Sequence, residues 1–183
     1  SYSDGQSVSN LTTEGDIILY AIWKGNIYTV ILDDEGGEGG SGSISATFGS
    51  DLPAVEVPEK TGYEFQGYYD GQNGTGTCYY AADGKGVAAW NKASGATLYA
   101  YWTPKSFTLT FHAADGTVTP QDKTVTFGET YGELPVPVLK GYTFEGWFTS
   151  EEGGTEVSSG TTVSIAGNHD VYAHWTANTY TVV

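Results

Sequence analysis

Three histidines, His112, His169 and His174, are the side chains in this 183-residue sequence best suited to hold a metal or move a proton near neutral pH. A zinc site needs several ligands converging on one point. His169 and His174 are five residues apart, and on an extended strand that odd spacing sends them to opposite faces, so they are read as structural. Adjacent carboxylates at Asp33–Asp34 and Glu151–Glu152 are the groups that acid–base hydrolysis of a glycoside would draw on. They lie among glycines in turns, where solvated charge is the ordinary role, and such chemistry also needs a deep cleft. No G-x-S-x-G elbow, phosphate loop or H-E-x-x-H pair occurs. The sequence is therefore read as non-enzymatic, with no catalytic residue, no metal site and no cofactor.

A ligand site is a separate matter. Tyr79, Tyr80 and Trp90 are the candidate ligand-binding residues, because aromatic faces beside Asn73, Asp83 and Asn91 are what sugar rings stack upon. The competing reading buries the same rings, since small modules without disulfides need large core side chains. The single cysteine, Cys78, has no partner for an internal disulfide and reads as a small half-buried strand residue.

The elements that must position these residues are strands, and they are written more than once. The phrase "LYAIW" ends at Trp23, "LYAYW" at Trp102 and "VYAHW" at Trp175, at separations of 79 and 73 residues. On this spacing the chain divides into residues 1–25, the back half of a preceding repeat; 26–103 and 104–176, two complete repeats; and 177–183, the opening strand of a following one. The chain reads as a slice of a longer array. Tyr63, Phe65, Gly67 and Tyr69 alternate with polar residues, as do Tyr142, Phe144, Gly146 and Phe148, which predicts a half-buried strand in each copy. The glycine in each removes a side chain where a large neighbour approaches, and Trp102 or Trp175 is the expected neighbour. Leu98, Ala100 and Trp102 share a face of the closing strand, so the intervening position, Ile22, Tyr101 or His174, is expected to face solvent. Prolines at 53, 58, 135 and 137 forbid a long helix, leaving at most a turn at 129–133 and one or two at 87–92. The expected class is mostly β, α+β at most, with tandem small sheets, mixed or antiparallel. The acidic run 33–39 lacks the alternating ligand spacing of a calcium loop, and its counterpart at 112–116 lacks most of the acids.

Charge narrows the partners. Seven lysines and no arginine stand against 22 acids, for a net charge of −15, and the acids are spread through both repeats. Nucleic acid and anionic membranes need basic patches, so neither is expected as a partner. No apolar run reaches the roughly 20 residues of a membrane-spanning helix.

A hairpin ending in "FG", then "LP.P...GY.F.GW", a "GGT" turn and a closing "LYA.W" together resemble the Listeria-Bacteroides repeat, also called the internalin B-type repeat. The likeness covers both repeats and both flanking fragments, with Trp23, Tyr63, Phe65, Gly67, Trp102, Tyr142, Phe144, Gly146 and Trp175 as its signature. The first repeat departs from the pattern with Tyr68–Tyr69 where the second has Trp147–Phe148, and with an enlarged back half. The resemblance implies small β-grasp-like modules in tandem on a secreted, wall-anchored bacterial surface protein. It also implies a spacer or adhesive role, and no catalytic residues. The expected partners are neighbouring repeats of the same chain. The alternative is a carbohydrate- or receptor-binding module, with a host receptor or glycan on the aromatics of the first repeat.

Overall fold

The computed structural model describes residues 20–183. Its strands form two five-stranded sheets. The first holds β1 (Ile27–Asp33), β2 (Ser43–Thr47), β3 (Tyr63–Tyr69), β4 (Cys78–Ala81) and β5 (Ala96–Pro104) in the order β2-β1-β5-β3-β4. The second holds β6 (Ser106–His112), β7 (Asp122–Thr126), β8 (Tyr142–Phe148), β9 (Glu156–Val157) and β10 (His169–Ala177) in the order β7-β6-β10-β8-β9. In each, the first and last strands pair parallel at the centre and the remaining pairs are antiparallel. The molecule is mostly β, in two small mixed sheets.

The closing strand is central because it is bonded on both edges, and its small and branched residues fit a position buried beneath the sheet. Leu98 and Ala100 in one copy, and Val171 and Ala173 in the other, lie in the cores. Val30 and Leu32 of β1 point inward with them, as do Leu109 and Phe111 of β6. The roof over each core is the Pro-bounded crossover after the second strand, which buries Leu52 and Pro58 in the first copy and Tyr131 and Pro137 in the second. No helix forms at 129–133 or 87–92. Tyr131 and Gly132 donate their amides to Thr161 and Ser159, and Val87 and Trp90 donate theirs to Tyr79 and Ser50, all at 2.9–3.0 Å, so these amides are bonded across the module instead of along a turn.

The strict alternation expected in β3 and β8 fails halfway along each. Opposite β5, Phe65 pairs with Trp102 but Gly67 pairs with Tyr101, so one extra residue, Gln66, is inserted. The same shift occurs in β8, where Glu145 is the extra residue before Gly146. This is a β-bulge, and it reverses the faces beyond it. Tyr68 and Trp147 therefore enter the cores, while Tyr69 and Phe148 lie on the opposite face. Gly67 takes φ of +132°, and a methyl there would stand 2.2 Å from the Tyr80 carbonyl oxygen. The bulge, not a tryptophan, is what its missing side chain serves.

The tryptophans cover glycines of the first hairpin instead. A methyl on Gly37 would meet the Trp102 ring at 2.6 Å, and one on Gly116 would meet Trp175 at 2.9 Å. Each indole also packs edge-on against the preceding aromatic, Phe65 or Phe144, with ring centroids 5.4 and 5.5 Å apart. The position expected in solvent is half-covered. Tyr101 meets Tyr69 edge-on, and His174 stacks flat on Phe148 at 3.9 Å and bonds the Ser150 carbonyl. These contacts exist because the bulge brings Tyr69 and Phe148 to that face.

Of the closing strand expected at 17–23, residues 17–19 lie outside the described residues, and Tyr20–Trp23 form no strand. Ile22 is 97% exposed and Trp23 90%. In both complete copies this strand is held by a neighbour on each edge, and among the described residues Tyr20–Trp23 pairs with neither. Residues 178–183 likewise form no strand, and Tyr180 and Val182 are exposed rather than packed on the adjoining module.

Candidate functional site

The three aromatics of the candidate ligand site belong to the first core. Tyr79 and Tyr80 alternate on β4, yet neither ring is left in solvent, and Trp90 is 0% exposed. The Tyr79 hydroxyl donates to Asn91 at 2.7 Å and its ring lies 5.2 Å from that of Trp90; the Tyr80 hydroxyl donates to the Pro53 carbonyl at 3.0 Å. No open face is left for a sugar to stack on, and the enlarged back half of the first repeat supplies core volume. The burial raises the Tyr80 phenol to about 12. A phenol raised in the folded state contributes stability that is whole below its unfolded value near 10 and is lost as pH climbs through 12. Tyr68 is pushed upward as well, first by burial and then by its bond to Asp34. We therefore expect the first repeat to unfold at alkaline pH before the second, followed by tyrosinate absorbance against circular dichroism.

Asp34 anchors the first hairpin. Its carboxylate accepts from the Tyr68 hydroxyl, and its carbonyl accepts from the Trp102 indole N–H and the Gly37 amide, both at 2.9 Å. The second copy has Ala113 at the matching place and Trp147 in place of Tyr68, whose indole N–H instead donates to the Pro135 carbonyl at 2.8 Å. The acid and the hydroxyl are thus present together or absent together. The acids of this loop serve the hairpin: Asp33 Oδ1 accepts from the Glu35 amide. The histidines are also tied locally, His112 to Asp170 at 2.8 Å and His169 to the Tyr131 hydroxyl at 2.7 Å.

What the structure does bring together lies between the repeats. A single residue, Lys105, separates β5 from β6. Its amide donates to the Gly62 carbonyl of the first repeat at 2.9 Å, and its carbonyl accepts from the Phe127 amide of the second at 3.0 Å. Phe127 lies against Gly62, where an added methyl would come within 2.3 Å of the ring. Tyr63 reaches the other way, with its hydroxyl 3.2 Å from where a methyl on Gly128 would stand. The two rings meet edge-on, centroids 5.6 Å apart at 81°, an aromatic contact of about 0.5–1.5 kcal/mol beyond area burial. Both glycines hold positive φ, +79° and +81°, so each is required by its backbone as well as by the ring above it. The joint is thus a Phe–Gly pair of one repeat interlocked with a Gly–Tyr pair of its neighbour. Beside it runs an open cleft of about 1250 Å³, with Lys60 over the rings of both Tyr63 and Trp102. Tyr63 belonged to the expected signature, but Phe127, Gly62 and Gly128 did not. The signal for them was present: "FG" recurs in both copies just after the second strand, and "GY" at the start of the third.

The Listeria-Bacteroides repeat domain matches residues 28–101 and 107–174. Internalin H of Listeria monocytogenes serovar 1/2a is 35% identical over 153 residues, covering 82% of this chain and 25% of the relative. A protein of Evansella cellulosilytica, provisionally named a Gly-rich membrane protein, is 30% identical over 167 residues, covering 91% of this chain and 18% of the relative. A second from that organism, provisionally named a membrane protein, is 30% identical over 179 residues, covering 91% and 25%. The chain spans a quarter or less of the length of these relatives.

Proposed function

The chain belongs to the Listeria-Bacteroides repeat family, and on that footing we propose that it is a non-catalytic spacer segment in the repeat region of a bacterial cell-surface or secreted protein. The joint carries this reading. Domains linked within one chain move relative to one another unless their interface holds them. Here one linking residue, two interlocked ring–glycine contacts and two backbone hydrogen bonds set the angle between the sheets. A repeat joined in this way adds a fixed length and a fixed turn, the mechanics of a stalk. The joint is heterologous, with different surfaces on its two sides, so it extends an array without closing it. Within this reading, residues 1–25 are the back half of a repeat, 177–183 open another, and the protein is held at the wall.

Small-angle scattering is the test. The spacer reading expects an elongated particle whose maximum dimension rises by a constant increment for each repeat added. Two modules folded against each other in a compact particle would sink it. A second reading, adhesion to a host receptor or glycan, is favoured by the cleft beside the joint, where aromatic edges and two of the seven lysines, Lys60 and Lys105, gather on an otherwise acidic chain. Retention on a glycan array that is lost in Lys60→Ala would support it.

A further inference from the structure

Both halves of the joint occur a second time in the chain, and there they are open. The Phe–Gly pair of the first repeat is Phe48–Gly49, and the Gly–Tyr pair of the second is Gly141–Tyr142. Their backbones match those of the filled joint, with φ of +77° at Gly49 and +84° at Gly141, yet among the described residues nothing lies within 4 Å of a methyl at either glycine. Phe48 is 45% exposed and Tyr142 46%. The linking residue is also in place on both sides. Asn178 donates to the Gly141 carbonyl at 2.8 Å, as Lys105 does to Gly62, and the Phe48 amide donates to the Asn26 carbonyl at 2.9 Å, as Phe127 does to Lys105. Asn178 and Tyr180 repeat the side-chain contact of Asn26 and Tyr28, both at 3.5 Å. At Asn178 the chain leaving the second repeat is therefore held as Lys105 is at the filled joint.

We propose that Gly141–Tyr142 is a docking socket for the Phe–Gly pair of a further copy of this repeat joined in tandem, and that the Phe–Gly and Gly–Tyr pairs are the recognition elements through which repeats of this kind select one another. The occupant is set by continuity with the joint that is already filled, because the same two dipeptides, glycine conformations and linking hydrogen bonds recur at the open ends. A partner without the Phe–Gly pair leaves Tyr142 exposed and the Gly141 surface without a ring. The selection is directional, since each repeat carries one pair at each end.

This inference rests on the tandem-array reading, and its test reads the socket separately from the length. The full chain is extended after Val183 by a copy of residues 32–104, so that the added Phe48 stands where Phe127 stands in the filled joint. Proton NMR follows the Gly62 and Gly141 α-protons. In the parent chain Gly62 carries the upfield ring-current shift from Phe127 and Gly141 does not. In the extended chain Gly141 gains a shift like that of Gly62, and Phe48→Ala in the added copy, a change at an exposed residue, removes it. The amide spectrum of the added copy, compared with that of residues 32–104 in the parent, reports that it has folded. A folded added copy with Gly141 unshifted, or a shift that survives Phe48→Ala, overturns the proposal. A scattering dimension that fails to grow sinks the spacer reading and leaves the ring-current result standing.

Discussion

Trp90→Ala lowers the unfolding free energy of the first repeat by about 3–5 kcal/mol, the cost of emptying a fully buried aromatic site. The ring is 0% exposed and packs on Tyr79, so its removal leaves a cavity and strips a neighbour of contacts. Because each repeat has its own core, the loss falls on the first, and calorimetry of the variant shows one early transition beside an unshifted second. Trp147→Ala, at 2% exposure, does the converse. Unchanged stability after Trp90→Ala, together with lost binding to a polysaccharide gel, would return the ring to the surface and restore the sugar platform.

Gly67→Ala destabilises by about 2–4 kcal/mol, because the methyl meets the Tyr80 carbonyl oxygen at 2.2 Å on a backbone whose φ of +132° L residues rarely adopt. Its counterpart Gly146→Ala costs less: its φ of +159° also strains an L residue, but the nearest atoms stand at 3.4 Å and are side-chain ends of Glu156 and Phe148 that can yield. Urea denaturation of the two variants measures the difference. Equal costs would mean that the two bulges are held in the same way and that the close carbonyl is not what the first glycine serves.

These two changes mark where the sequence was legible. The repeat and the shared inward face of Leu98 and Ala100 on the closing strand followed from spacing and alternation, because period-two patterning records burial directly. The bulge did not follow: an extra residue in one strand is defined only against its partner, and a glycine in a strand reads equally as a packing gap. Tyr69 and Phe148 were therefore placed on the core face that Tyr68 and Trp147 occupy. The aromatic trio stayed ambiguous for a related reason, since large rings in a small module serve a core or a ligand alike. The joint was hidden most deeply. Gly62 and Phe127 meet only because neighbouring copies present opposite ends to each other, so the contact belongs to no single repeat. The recurrence of "FG" and "GY" at the strand ends was its trace.

The central claim is that this joint holds the two repeats as one rigid unit, and residual dipolar couplings of backbone amides test it most directly. Fitted separately, residues 27–104 and 106–177 are expected to give one alignment tensor, equal in magnitude and orientation, and Phe127→Ala is expected to split it in two. Two unequal tensors in the unaltered chain would show repeats that swing freely about Lys105 and would contradict the account.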